Sequence, residues 1–261
     1  MPVPAAPRAS QFRRNLTIVR ELAVVDFRKK YHDRALGYFW SMLNPLTQFA
    51  VYHFVFSYLF VSKLNKFTLY LLTGVFFWNF FQDCTMSAIA AISARSRLTK
   101  KIYFPRYLIV FSSSLTAMFS FAINTATLWL VVAVSDHVSP LQILTIIPFS
   151  FLILLSVGVG FLIAIMYVHF RDVSQIWAVV LSFGFWLTPI TYDALLFPGP
   201  LETVALVNPV GRILVMLRAF LVYDNLPSTF FILSTGLFSL AIFLFGWWMF
   251  RKYEHRVAEY L

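Results

Sequence analysis

ARSRLTKKIYFPR, residues 94–106, sets five cations, Arg95, Arg97, Lys100, Lys101 and Arg106, between two long apolar runs. A Lys or Arg at the centre of a bilayer costs roughly 3 kcal/mol. Five together exclude the stretch from the hydrocarbon, so the flanking runs must be threaded to leave it in water. The bias of Lys and Arg toward the cytoplasmic side assigns that water to the cytoplasm.

The rest of the chain agrees with a membrane reading. Of its 261 residues 60% are hydrophobic and only 12% charged, with a mean hydropathy of +0.76, whereas soluble domains carry about 25% charged residues. The net charge of +10 sits in gaps between apolar runs. It therefore reads as topology and contact with anionic lipid, and no nucleic acid is expected as a partner.

The expected fold class is an all-α membrane protein of six transmembrane helices in a single domain. An N-terminal amphipathic helix over about residues 10–34 has Phe12, Leu16, Val19, Leu22, Ala23 and Phe27 on one face and Arg13, Arg14, Arg20 and Glu21 on the other. That pattern predicts a helix lying on the membrane surface, the alternative being an amphipathic helix packed on its own protein. Spans follow at about 37–61, 68–92, 107–134, 141–168, 176–196 and 228–250, the fifth interrupted by Pro189. The cationic island at 93–105 is read as a cytoplasmic segment. The segment 197–227, broken by Pro198, Pro200 and Pro209, is read as periplasmic or re-entrant helices, with Asn208 as N-cap and Pro209 at the first helical position. Asp172 and Gln175 stand at capping-box spacing for the fifth span. With both termini cytoplasmic, 17 of the 21 Lys and Arg lie inside and four, Lys63, Lys66, Arg212 and Arg218, outside. The start of the chain has no apolar core of a cleaved leader.

Motifs for chemistry are missing. Gly is never followed by Lys, so no P-loop can form. There is no HExxH and no GxSxG, and the single Cys84 rules out an intramolecular disulfide. Five scattered histidines lack metal-ligand spacing. Asp83, near Asn79 and Gln82 within the second span, is a functional candidate as an intramembrane carboxylate, or a member of an interhelical hydrogen bond.

Several strings match a known family in order: LGYFWSMLNPL (36–46), RSRLTKKIYFPR (95–106), FRDV (170–173), LTPITY (187–192) and NPVGRILVMLR (208–218). Together they resemble the membrane subunits of ABC-2 type transporters, most of all the O-antigen, capsule and teichoic-acid exporters. The resemblance implies a non-enzymatic half-transporter in the bacterial inner membrane, a homodimer that forms the pore and binds two copies of a cytoplasmic ATPase subunit. It implies no cofactor in this chain, ATP and Mg being bound by the partner. The implied cargo is a polyprenyl-pyrophosphate-linked polysaccharide, or another amphiphile such as a teichoic acid, a lipid or a drug. The N-terminal helix and the island would be the interface and coupling helices.

On that footing Arg95, Arg97, Thr99, Lys100, Lys101, Tyr103 and Phe104 are candidates for docking the ATPase, or anchors obeying the charge bias. Phe49, Tyr52, Phe56 and Phe60 recur at helical spacing, and Phe183, Trp186 and Tyr192 follow in the fifth span. Aromatic faces suit the C–H faces of sugars, so these form a candidate channel lining; lipid-facing or packing aromatics are the alternative. Arg212 and Arg218 are candidates for a periplasmic gate that meets the carrier pyrophosphate, or for snorkelling to lipid phosphates. A membrane-embedded lipid-sugar enzyme would need paired acids, and Asp136, Asp193, Glu202 and Asp224 stand alone. An ATP-independent channel is a third reading.

Overall fold

The computed structural model describes residues 8–31, 39–55, 67–94, 105–134, 139–192, 203 and 206–254. These are helical almost throughout: α1 (Arg8–Tyr31), α2 (Phe39–Phe54), α3 (Phe67–Ala94), α4 (Tyr107–Val134), a 3-10 turn (Pro140–Thr145), α5 (Ile146–His169), α6 (Val173–Leu187), α7 (Pro209–Leu221) and α8 (Thr229–Tyr253). Among the described residues there is no strand.

α3 and α5 occupy the centre. α3 packs against α4, α5, α2, α6 and α7, and α5 against α8, α3 and α7. Leu71, Val75, Phe77, Cys84 and Ala88 of α3 and Leu155, Phe161 and Ala164 of α5 are wholly enclosed. Lipid is as apolar as leucine, so close packing and interhelical hydrogen bonds hold such a bundle together. Rings supply much of the packing where α4, α5 and α8 meet: Phe111 lies edge-on to Phe161 at 5.2 Å, and Tyr107 edge-on to Trp247 at 4.8 Å. Such pairs contribute about 0.5–1.5 kcal/mol each beyond their buried area.

By length and composition three segments among the described residues can cross a membrane: Tyr107–Ala133, Pro140–His169 and Thr229–Tyr253. α8 shows the physics most plainly. Phe230, Leu233, Leu237, Leu240, Leu244 and Trp248 form an exposed apolar stripe along its length, a face that water would penalise and hydrocarbon accepts. At its end Lys252 Nζ lies 5.0 Å from the Trp248 ring, the pairing of aromatic and cation that belongs at a headgroup boundary. The other helices are long enough but more polar, or shorter. α3 has 28 residues, about 42 Å, yet carries Asn79, Gln82 and Asp83; α2 has 16 residues and α6 has 15.

Successive bundle helices alternate in direction. His53 at the end of α2 stacks on Phe67 at the start of α3. Arg106, just before α4, reaches Glu254, just past α8: its backbone N–H donates to Glu254 Oε1 and its Nη1 to the Glu254 carbonyl, both at 2.6 Å. His169, ending α5, lies edge-on to Tyr253 at 6.2 Å. One end of the bundle thus gathers the start of α4 and the ends of α5 and α8. At the opposite end Ser139 donates to Asp224 and α7 packs on the 3-10 turn.

Two sequence expectations are corrected, and of the two settings open to α1 the structure shows packing on its own protein: it lies along α4, with Asn15 donating to the Tyr107 hydroxyl at 3.2 Å, Thr116 Oγ1 to the Ala23 carbonyl, and Phe27 against Phe119. Its apolar residues Val19 and Ala23 are buried by protein. The fifth-span helix starts at Val173 and stops at Leu187 rather than reaching 196, because Pro189 cannot continue the ladder; Thr188 closes the last turn by donating from N and Oγ1 to Gly184 O. The capping box at Asp172 does not form: Asp172 has helical backbone angles and makes no side-chain cap bond. Asn208 does cap α7, accepting from Val210 N and Gly211 N, with Pro209 opening the helix.

Candidate functional site

The end of the bundle that holds Arg106, Arg171, Arg251 and Lys252 is where Ala94 delivers the chain to the island and Pro105 receives it back. The candidate docking residues Arg95, Arg97, Thr99, Lys100, Lys101, Tyr103 and Phe104 lie outside the described residues. Their attachment points do not: α3 and α4, which carry the island, pack on each other along their length.

Of the candidate channel aromatics, Phe56 and Phe60 also lie outside the described residues. Phe49 stacks on His53 at 5.4 Å, and Tyr52 meets Phe185 at 5.3 Å. Phe183 and Trp186 instead project from the far side of α6, exposed with Ile176, Val179, Val180 and Leu187. Tyr192 folds back on α6, donating to the carbonyls of Trp186 and Leu187. So α2 and α6 are neighbours, but within one chain they meet through Phe185, and the face bearing Phe183 and Trp186 is uncovered.

The two outer arginines are both held by protein. Arg212 donates from Nε to Thr235 Oγ1 at 3.1 Å and from Nη2 to Ser234 Oγ at 2.6 Å, with its guanidinium 4.6 Å from the Phe231 ring. Arg218 is only 2% exposed. Its Nη2 donates to the carbonyls of Tyr70 and Ile190, each at 3.0 Å, and its Nη1 donates to Pro189 O. The guanidinium also lies 3.3 Å from the centroid of the Tyr70 ring. These carbonyls belong to the break after α6, where Pro189 leaves the backbone without helical partners, and to the start of α3. In this conformation Arg218 braces that break against α3.

A polar cavity of about 560 Å³ opens between α2, α3 and α4, lined by Asn44, Gln48, Asn79, Gln82, Asp83 and Asn124, with Trp40 at its edge. Asn79 Nδ2 donates to Gln48 Oε1 at 2.9 Å, and Gln48 Nε2 donates on to the Tyr52 hydroxyl at 3.2 Å. The cavity thus touches the aromatic residues of α2 through a short relay of amides. The sequence flagged Asp83, Asn79 and Gln82 but not Gln48 or Asn124. Their spacing alone carries no signal; a count of side-chain amides falling at matching depth in three neighbouring apolar runs would have drawn attention to them.

The model of the ABC-2 type transporter family matches residues 19–222, most of the chain. This chain belongs to the ABC-2 type transporter family. It is similar to the O-antigen export system permease protein RfbA of Klebsiella pneumoniae, 24% identical over 258 residues covering 95% of this chain and 97% of that protein. The protein of the same description from Myxococcus xanthus is 24% identical over 214 residues, covering 78% of this chain and 79% of the other. As an ABC-2 type transporter the chain is a multi-pass membrane protein built for transport. The matched stretch runs from within α1 to the end of α7, so it includes the island, the amide-lined cavity and the Arg218 brace.

Proposed function

We propose that this chain is the membrane-spanning subunit of an ATP-driven exporter that moves a polyprenyl-pyrophosphate-linked polysaccharide across the bacterial inner membrane. The observation that carries the reading is membership of the ABC-2 family together with near full-length similarity to proteins described as O-antigen export permeases. The sequence has no P-loop, so ATP is bound and hydrolysed in a separate cytoplasmic subunit, present in two copies. The six alternating helices then become six spans, with both termini and the island in the cytoplasm.

Two copies of the chain form the pathway. The uncovered face of α6, with Ile176, Val179, Val180, Phe183, Trp186 and Leu187, faces a second copy and, with the aromatic residues of α2, borders the route of the glycan. ATP binding in the partner pushes on the island, and the push passes into α3 and α4. Deleting the chain tests this reading: lipid-linked polymer accumulates inside the cell and disappears from the surface. Polymer that still reaches the surface would refute it.

A further inference from the structure

The amide-lined cavity asks for an occupant. Asp83 stands 11 residues before the end of α3, about 17 Å along the helix axis, a depth at which lipid contact with a carboxylate costs roughly 3 kcal/mol. Asn124, on α4, is 6% exposed and lines the cavity, yet among the described residues nothing donates to its Oδ1. Leaving such a buried acceptor unmet costs about 1–3 kcal/mol.

The chemistry of the lining selects the ligand. Among the described residues its charged member is Asp83 and no Lys or Arg lines it, so a phosphate or pyrophosphate would meet repulsion there without a counter-charge. Side-chain amides offer both donors and acceptors, which matches neutral hydroxyl groups that do the same. Trp40 at the edge supplies the flat apolar surface on which a sugar ring rests by its C–H face. A volume of about 560 Å³ falls within the usual range of ligand pockets, about 300–1,000 Å³.

We infer that this cavity binds neutral sugar residues of the exported glycan, with the side-chain amides of α2, α3 and α4 that line it pairing with sugar hydroxyls, and that it excludes the carrier diphosphate. This rests on the export reading and names a place where the chain grips the saccharide. The test uses the full-length chain carrying Cys84→Ser and Ser120→Cys, expressed in the polymer-producing strain, with N-ethylmaleimide as the probe. The introduced thiol reacts at least fivefold more slowly while polymer is being made than in the same strain blocked at the first sugar transfer. Adding Asn124→Leu removes that difference while the chain stays in the membrane at the same level. Equal rates in the two strains would show a water-filled cavity and overturn the assignment. If deletion of the chain abolishes surface polymer and the rates are equal, the cavity assignment alone fails; if deletion leaves the polymer in place, the export reading fails on its own account.

Discussion

Gly246 of α8 lies so close to Gly158 of α5 that a Cβ on Gly246 would collide with the Gly158 carbonyl and stand 3.3 Å from its Cα. A Cβ on Gly158 would in turn stand 2.6 Å from the Cα of Phe243. The obstacles are backbone atoms, so neither helix can yield without moving bodily. Small residues at such crossings let helices approach where hydrocarbon offers no hydrophobic force to press them together. Gly246→Leu is expected to separate α5 from α8 and to cost about 3 kcal/mol, read as a lowered thermal midpoint of the purified chain in detergent. An unchanged midpoint would mean the two helices are not in contact.

The bond from Asn79 to Gln48 ties α3 to α2. A double-mutant cycle with Asn79→Leu and Gln48→Leu is expected to return a coupling of about 0.6 to 1.7 kcal/mol, the range of such bonds inside membranes. Strictly additive effects would place the two side chains apart.

Arg218 joins α7 to the turn after α6 and to α3. Arg218→Met leaves the carbonyls of Tyr70, Pro189 and Ile190 short of a donor, and the expected destabilisation is about 3 kcal/mol. Arg218→Lys recovers only part of it, because one ammonium cannot reproduce the planar fork and its contact with the Tyr70 ring. If lysine restored full stability, charge alone rather than the geometry of the guanidinium would be what the site needs.

Replacing Lys100 and Lys101 by Glu reverses two charges on the island. The chain is expected to reach the membrane at its normal level but to lose its ATPase partner during copurification, with export falling in proportion. Intact copurification and normal export would remove the island from the docking surface.

Local chemistry was legible in the chain, and long-range placement was not. Asn208 followed by Pro209 announces a helix start because the cap and the fixed proline φ act within three residues, and α7 begins there. Pro189 likewise marks the end of α6, although the apolar residues beyond it invited a longer span. Asp172 has the right spacing for a cap and fails because its own backbone is already helical, a fact of conformation that spacing does not encode. Arg218 read as an exposed cation because nothing near it in sequence accepts its protons; its acceptors come from residues 70, 189 and 190, brought together only by the packing of three helices. The amphipathic face of α1 predicted a partner of low polarity, and α4 provides it as well as lipid would.

Drive from a cytoplasmic ATPase requires the island to face the cytoplasm. With Ser96→Cys in a Cys84→Ser chain, a membrane-impermeant maleimide applied to intact spheroplasts should leave the introduced thiol unmodified, and should modify it fully once the membrane is opened. Labelling before the membrane is opened would put the island on the outer side and contradict the account at its root.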